Sequence, residues 1–176
     1  MNRLIGFLLG STAVLIMLAG CYHASSYAGD GRLIDNGASA ATDRYVLNLG
    51  SIDLTQRGTK TFQIANLPEA NFVAGLEIVA PDNNIIERRA ANPTVAIELT
   101  SLDGKVLFAR QAPLDAWTWA VRVGEHRAFV YGRDEPRTYF DVTPKAEYRL
   151  TIKVIEPERS WSKYTASLIA KSGGWK

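Results

Sequence analysis

Alternation of apolar and polar residues is the feature that most constrains how this chain folds. Between Thr94 and Thr100, Val95, Ile97 and Leu99 alternate with polar or small residues. A period of two is typical of strands with one buried face. Similar alternations recur along the chain with Gly, Pro, Asn or Asp between them, at Leu47/Leu49, Ile52/Leu54, Phe62/Ile64, Trp117/Trp119/Val121/Val123, Phe140/Val142, Tyr148/Leu150/Ile152/Val154 and Ala166/Leu168/Ala170. This rhythm predicts an all-β fold, an antiparallel β-sandwich of Greek-key, jelly-roll or immunoglobulin-like topology.

Two local patterns support strands over helices. Asp103-Gly104 lies between alternating segments, and this residue pair is the one that the primed two-residue turn of a hairpin requires. The segment 66–81 fits either periodicity, but Gly75 in its middle and Pro68 and Pro81 near its ends favour a strand.

A third pattern concerns the corner before a late strand. Val142 is followed by Pro144 two positions later and by Tyr148 four positions beyond. This spacing resembles the tyrosine corner of fibronectin-like and other Greek-key sandwiches, in which the tyrosine hydroxyl bonds back to the turn. The resemblance implies an architecture and carries no function.

Composition predicts one globular domain without disulfides. The chain has 176 residues, of which 47% are hydrophobic, and a formal net charge of +2. No long Lys/Arg block is present, so nucleic acid is not expected as a partner. Because a single cysteine cannot form an intramolecular disulfide, the fold must depend on burial.

The N-terminal residues have the pattern of a secretory signal. Seventeen uncharged residues from Leu4 to Gly20 follow a start that contains Arg3. Their length only reaches the lower limit for crossing a bilayer, so a permanent transmembrane helix is the less favoured alternative. We therefore assign residues 1–20 to a signal peptide.

Leu18-Ala19-Gly20-Cys21 at the end of this run resembles the lipobox of bacterial lipoproteins. The resemblance implies a diacylglyceryl thioether on Cys21, cleavage between Gly20 and Cys21, and N-acylation of the new terminus. A buried cysteine after a core helix is the alternative, but the run lacks the polar face of such a helix. No cofactor other than this covalent lipid is expected.

The resemblance also implies a location. In the enterobacterial sorting pattern an Asp after the cysteine favours the inner membrane, and Tyr22 occupies that position here. The periplasmic leaflet of the outer membrane is therefore expected, with the inner membrane less favoured. Residues 21–43 are rich in Ala, Ser and Gly and are interpreted as the lipidated cysteine and a flexible tether, and residues 44–176 as the sandwich domain.

Residues for catalysis or metal binding are scarce. The two histidines are His23 in the tether and His126 between charged neighbours, which indicates an exposed turn. Asp82-Asn83-Asn84 with Glu87 offers oxygen ligands but lacks EF-hand spacing. No nucleophile elbow, zinc-protease, Walker or dinucleotide motif occurs. The sequence therefore predicts no metal site and a protein that is not an enzyme.

The aromatic residues offer candidate binding surfaces. Trp117 and Trp119 share one strand face with Val121 and Val123, which favours core over a sugar-stacking platform. Trp161 and Tyr164 lie in less periodic surroundings and are interpreted as candidates for exposed contacts.

A charged Gly/Pro loop is the second candidate surface. Tyr131 precedes it, and the loop carries Arg133, Asp134, Glu135 and Arg137. Arginine and tyrosine are enriched in binding hot spots, although a solvated hairpin tip is the competing interpretation.

Together these features predict a lipid-anchored, periplasm-facing binding protein without catalytic machinery. The expected partner is a periplasmic or envelope protein, and the layout is similar to that of small β-sandwich lipoproteins, some of which are immunity proteins against periplasmic toxins. A glycan- or peptidoglycan-binding module is the alternative, and an envelope hydrolase is the third hypothesis.

Overall fold

A computed structural model describes residues 26–36, 44–68, 71–81, 91–121, 127–131 and 140–172. The expected N-terminal signal, Gly20 and Cys21 lie outside these ranges, as do His23, His126 and the acidic stretch around Asp82. The described residues form twelve strands: β1 (Ala28–Gly29), β2 (Arg32–Asp35), β3 (Tyr45–Ile52), β4 (Gly58–Ala65), β5 (Asn71–Val79), β6 (Thr94–Ser101), β7 (Val106–Pro113), β8 (Thr118–Val121), β9 (Arg127–Tyr131), β10 (Phe140–Asp141), β11 (Glu147–Glu156) and β12 (Thr165–Ser172).

The strands form two antiparallel sheets, which confirms the predicted all-β sandwich. The first sheet has the order β1-β4-β11-β6-β7. The second has the order β2-β3-β12-β5-β9-β8, and β10 also pairs with β5. Two short 3₁₀ helices, Leu114–Ala116 and Arg159–Lys163, connect strands of the first sheet to strands of the second.

The core lies between the sheets and follows the predicted alternation. In β11, Tyr148, Leu150, Ile152 and Val154 are buried. They belong to one hydrophobic cluster with residues of both sheets. Every second residue of β11 therefore points into a shared interior, as a period of two requires.

Three local predictions are confirmed. Within segment 66–81, Asn71–Val79 form strand β5, and the helical alternative is wrong there. The hairpin is confirmed, since Asp103 and Gly104 lie in the turn between β6 and β7, and Gly104 has the left-handed φ of 84° that favours glycine there. The primed two-residue turn is wrong, because residues 102–105 separate the strands and Asp103 does not have a positive φ. The Tyr148 hydroxyl accepts a hydrogen bond from the Thr143 backbone N–H at 2.9 Å, so the corner bonds as predicted.

The interpretation of residues 22–43 as a flexible tether is wrong for residues 28–35, which contain two strands. Strand β1 pairs with the end of β4 in the first sheet, and β2 pairs with the start of β3 in the second sheet. Between them the chain crosses from one sheet to the other at Gly31, where φ is 84° and a Cβ atom would lie 2.4 Å from the Asn48 carbonyl oxygen. These strands are too short for periodicity to reveal them, and backbone pairing holds them in place.

The pairings give the sandwich two distinct ends. The chain enters at Ala28, which pairs with Ala65, and Ala65 in turn pairs with Glu147 at the start of β11. We call this the entry end, and the turn between β6 and β7 lies there because Ser101 pairs with Tyr148. The opposite end, the far end, carries the β3–β4 connection, residues 53–57, and the 3₁₀ helix Arg159–Lys163.

Candidate functional site

A small cavity opens at the far end, where the first sheet meets the β3–β4 connection. Its volume is about 180 Å³. Residues of β3, β4 and β11 line it together with the connecting turn: Ile52, Asp53, Gln56, Arg57, Gly58, Thr59, Lys60, Ile152 and Val154. We call it the edge cavity.

The cavity forms because the inward-facing residues of β4 are no longer apolar toward the far end. Positions 58, 60, 62 and 64 share one face of the strand. Ile64 is buried and Phe62 is half-buried, whereas Lys60 and Gly58 are exposed. Ile152 and Val154 are the partners of Lys60 and Gly58 on β11, so they provide apolar walls that no apolar side chain of β4 covers at these positions.

Charges of both signs surround this apolar lining. The Lys60 Nζ donates a hydrogen bond to the Ser51 carbonyl at 2.8 Å, which fixes the ammonium group at the rim. Asp53 accepts hydrogen bonds from the Thr55 hydroxyl at 2.6 Å and from the Thr55 backbone N–H at 2.8 Å. These bonds lower the pKa of the Asp53 carboxyl below its usual value. The rim therefore carries a fixed carboxylate and the cations of Lys60 and Arg57.

The strand edge beside the cavity has no strand paired to it among the described residues. Strand β1 pairs only with Ile64 and Ala65 of β4. The Gln63 backbone N–H donates a hydrogen bond to the Asp30 carboxylate, and the Gln63 C=O accepts one from the Asp30 backbone N–H. Both backbone groups of Gln63 therefore face this side of the strand. Alternate residues of an antiparallel strand point their backbone groups the same way, so Thr61 and Thr59 also direct theirs to this edge.

An aromatic cluster occupies another part of the far end. Trp161 lies 6.4 Å from Trp119 and 5.1 Å from Tyr164 between ring centroids. The expectation that Trp161 offers an exposed contact is wrong, because its side chain is 2% exposed and its indole N–H donates to the Ala91 carbonyl. Tyr164 is half-buried against the same core. The sequence did not reveal this burial because Trp161 lies in a 3₁₀ helix and Tyr164 directly follows it, so no period of two applies.

The assignment of Trp117 to the core is confirmed. Trp117 is 2% exposed, and its indole N–H donates to the Ala112 carbonyl at 3.1 Å. The Arg110 guanidinium lies 5.6 Å from its ring centroid. Trp119 is half-buried, packs against the core and donates to the Leu114 carbonyl at 2.8 Å. Neither tryptophan forms an open, flat platform.

The structure places Tyr131 in strand β9 and not at an exposed loop edge. Its side chain is 8% exposed and stacks on Phe129 with 5.3 Å between ring centroids. Both rings lie on the face of the second sheet that points away from the first, in a cluster with Val73 and Ile169. The other residues of that candidate surface, Arg133, Asp134, Glu135 and Arg137, lie outside the described residues.

The described residues contain no group of three or more His, Cys, Asp or Glu side chains placed to hold a metal ion. Within the same ranges, no helix has the length and apolar character needed to cross a membrane.

Comparison with known proteins returns no significant match among family models, curated proteins or solved structures. The edge cavity is therefore interpreted from its own residues.

Proposed function

We propose that this protein is a lipoprotein anchored through Cys21, with its sandwich domain facing the periplasm. Support comes from the sequence Leu18-Ala19-Gly20-Cys21, which follows an uncharged run and ends in the only cysteine of the chain. Tyr22 in place of Asp favours the outer membrane by the enterobacterial sorting pattern. Several acyl chains would hold the mature protein stably at the bilayer surface.

At its far end the domain binds another protein and catalyses no reaction. The observation that carries this proposal is the edge cavity, which combines an apolar lining with a rim of opposite charges. Its volume of about 180 Å³ is below the range of roughly 300–1,000 Å³ typical of small-molecule sites. A cavity of this size suits one apolar side chain of a partner, as hot-spot pockets of protein interfaces do.

The partner presents an extended segment. Thr59 and Thr61 direct backbone donors and acceptors to the free edge of β4, and Thr59 also lines the cavity. An added strand would pair with this edge and place one side chain in the cavity, which is the mode of strand addition. Lys60 between the two threonines discourages indiscriminate pairing, because charged residues on an edge strand oppose aggregation.

Glycan or peptidoglycan binding has less support. That function favours open aromatic faces, whereas Trp117 and Trp161 are each 2% exposed. A binding role for Arg133 and Arg137 remains a prediction, to be compared with the edge cavity in the same experiment.

The anchor is tested by Cys21→Ser in the bacterium. We expect this variant to stay uncleaved and to incorporate no radiolabelled palmitate, whereas the parent chain incorporates it. Equal labelling and processing of variant and parent would refute the anchor.

The binding site is tested by a photo-crosslinking amino acid placed in living cells. At Gln56, which lines the cavity, we expect an adduct whose mass spectrum identifies a polypeptide, and we expect Arg57→Glu to reduce its yield. The matched control position is Gln111, an exposed residue on β7 of the same sheet. An adduct at Gln111 or at Arg133 but not at Gln56 would place the binding surface elsewhere, and a glycan adduct would support the alternative function.

A further inference from the structure

The entry end of the sandwich carries exposed apolar side chains. Among the described residues, the exposed large hydrophobic side chains are Leu102 (56%), Val106 (53%) and Ile34 (49%). Leu102 lies in the turn between β6 and β7, and Val106 is the first residue of β7. Ile34 pairs with Val46 near the start of β3. All three therefore lie at the end of the domain where the chain enters.

The strand register places the β6–β7 turn level with the point of entry. Ala28, Ala65 and Glu147 are successive partners across the first sheet. Ser101 is the partner of Tyr148, so Leu102, one residue further, reaches the level of Glu147. Three strand spacings of about 4.8 Å separate β1 from β6, so Leu102 lies roughly 14 Å across the sheet from Ala28.

The proposed anchor restricts how far this end can be from the membrane. Residues 22–27 separate Cys21 from Ala28. A fully extended chain spans at most about 3.6 Å per residue, so Ala28 lies within about 25 Å of the lipidated cysteine. The ten residues of β11 span roughly 33 Å, so the far end is directed away from the bilayer when the entry end faces it.

The chemistry of the turn suits a lipid surface. Lys105 is exposed between Leu102 and Val106 and can contact lipid phosphates while its apolar neighbours enter the headgroup region. The Asp103 carboxylate is engaged within the turn, where it accepts hydrogen bonds from the Ser101 hydroxyl and from the Lys105 backbone N–H.

We propose that the β6–β7 turn is a second membrane contact, in which Leu102 and Val106 enter the lipid surface beside the acyl anchor. This contact rests on the anchor at Cys21. It orients the domain, so that the entry end lies on the bilayer and the edge cavity faces the periplasm.

The test uses the full chain, purified after lipidation in the bacterium and reconstituted into vesicles of phosphatidylethanolamine and phosphatidylglycerol. Leu102→Cys and Val106→Cys each introduce a thiol for an environment-sensitive fluorophore, and Gln56→Cys at the far end is the matched control. We expect the labels at 102 and 106 to shift to the blue and to lose emission when the vesicles contain doxyl-labelled lipids. The label at 56 should do neither.

The outcomes separate this contact from the anchor. A lipidated parent chain has no free thiol, so labelling of the parent and its release from vesicles would refute the anchor itself. If the parent stays bound and unlabelled while the labels at 102 and 106 remain in water like the label at 56, the anchor stands and the second contact is refuted.

Discussion

The Tyr148 hydroxyl accepts a hydrogen bond from the Thr143 backbone N–H at 2.9 Å and joins the start of β11 to the turn before it. The Tyr148 ring is 3% exposed and meets Phe140 edge-on, with 5.3 Å between ring centroids. One side chain therefore fills the core and also satisfies a backbone donor of the turn.

Tyr148→Phe should lower the free energy of unfolding by about 1–2 kcal/mol, because it keeps the ring and leaves the Thr143 N–H without this acceptor. Urea denaturation of variant and parent measures the difference. Tyr164→Phe, at a half-buried position of the far end, is the control and should lower the free energy of unfolding by less. Equal stability of Tyr148→Phe and parent would show that the corner bond contributes nothing.

Trp161→Ala should lower the free energy of unfolding by about 3–5 kcal/mol, because it removes a buried indole and leaves a cavity beneath Trp119 and Tyr164. Denaturation followed by circular dichroism provides the measurement. Ser162→Ala in the same 3₁₀ helix is exposed and should change stability by less than about 0.5 kcal/mol. A Trp161→Ala protein as stable as the parent would show that Trp161 is not part of the core and would favour the exposed position expected from the sequence.

Gly31 and Gly104 form a matched pair, because both have a φ of 84° and only Gly31 is crowded. Alanine at either position incurs the left-handed penalty of roughly 1–2 kcal/mol. At Gly31 the new Cβ would also meet the Asn48 carbonyl oxygen at 2.4 Å, whereas nothing lies within 4 Å at Gly104. Gly31→Ala should therefore destabilise more and expose residues 26–36 to limited proteolysis. Equal decreases in the free energy of unfolding for Gly31→Ala and Gly104→Ala would contradict the close packing of Gly31 where the chain crosses between the sheets.

These residues also indicate how far sequence reasoning extends. Long alternating strands and the Asp103-Gly104 turn could be predicted, because burial on one face imposes a period of two. Strands β1 and β2 could not be predicted, because they are two and four residues long and are held by backbone pairing. The sequence indicates the edge cavity only weakly: Gly58 and Lys60 stand where the alternation of Phe62 and Ile64 would place apolar residues.

Hydrogen bonds from Thr55 lower the pKa of the exposed Asp53 carboxyl below its ordinary value of 3.8. Because the folded value is the lower one, the stabilisation from this turn is complete above the unfolded pKa and is lost as the pH falls through the folded value. A carboxyl ¹³C NMR titration should give a pKa below 3.8 for Asp53. Thr55→Val removes the hydroxyl donor and should raise the pKa of Asp53. An unchanged pKa in this variant would assign the shift to another cause.

In the proposed complex, the free edge of β4 pairs with an extended segment of the partner. Amide hydrogen exchange tests it residue by residue, with the polypeptide captured at Gln56 present or absent. The Thr59 and Thr61 amides face the free edge, whereas the Lys60 amide faces β11 and is an internal control. We predict that Thr59 and Thr61 exchange fast in the free protein and become protected in the complex, while Lys60 is protected in both. A formed complex that leaves Thr59 and Thr61 exchanging as fast as in the free protein would refute strand addition at this edge.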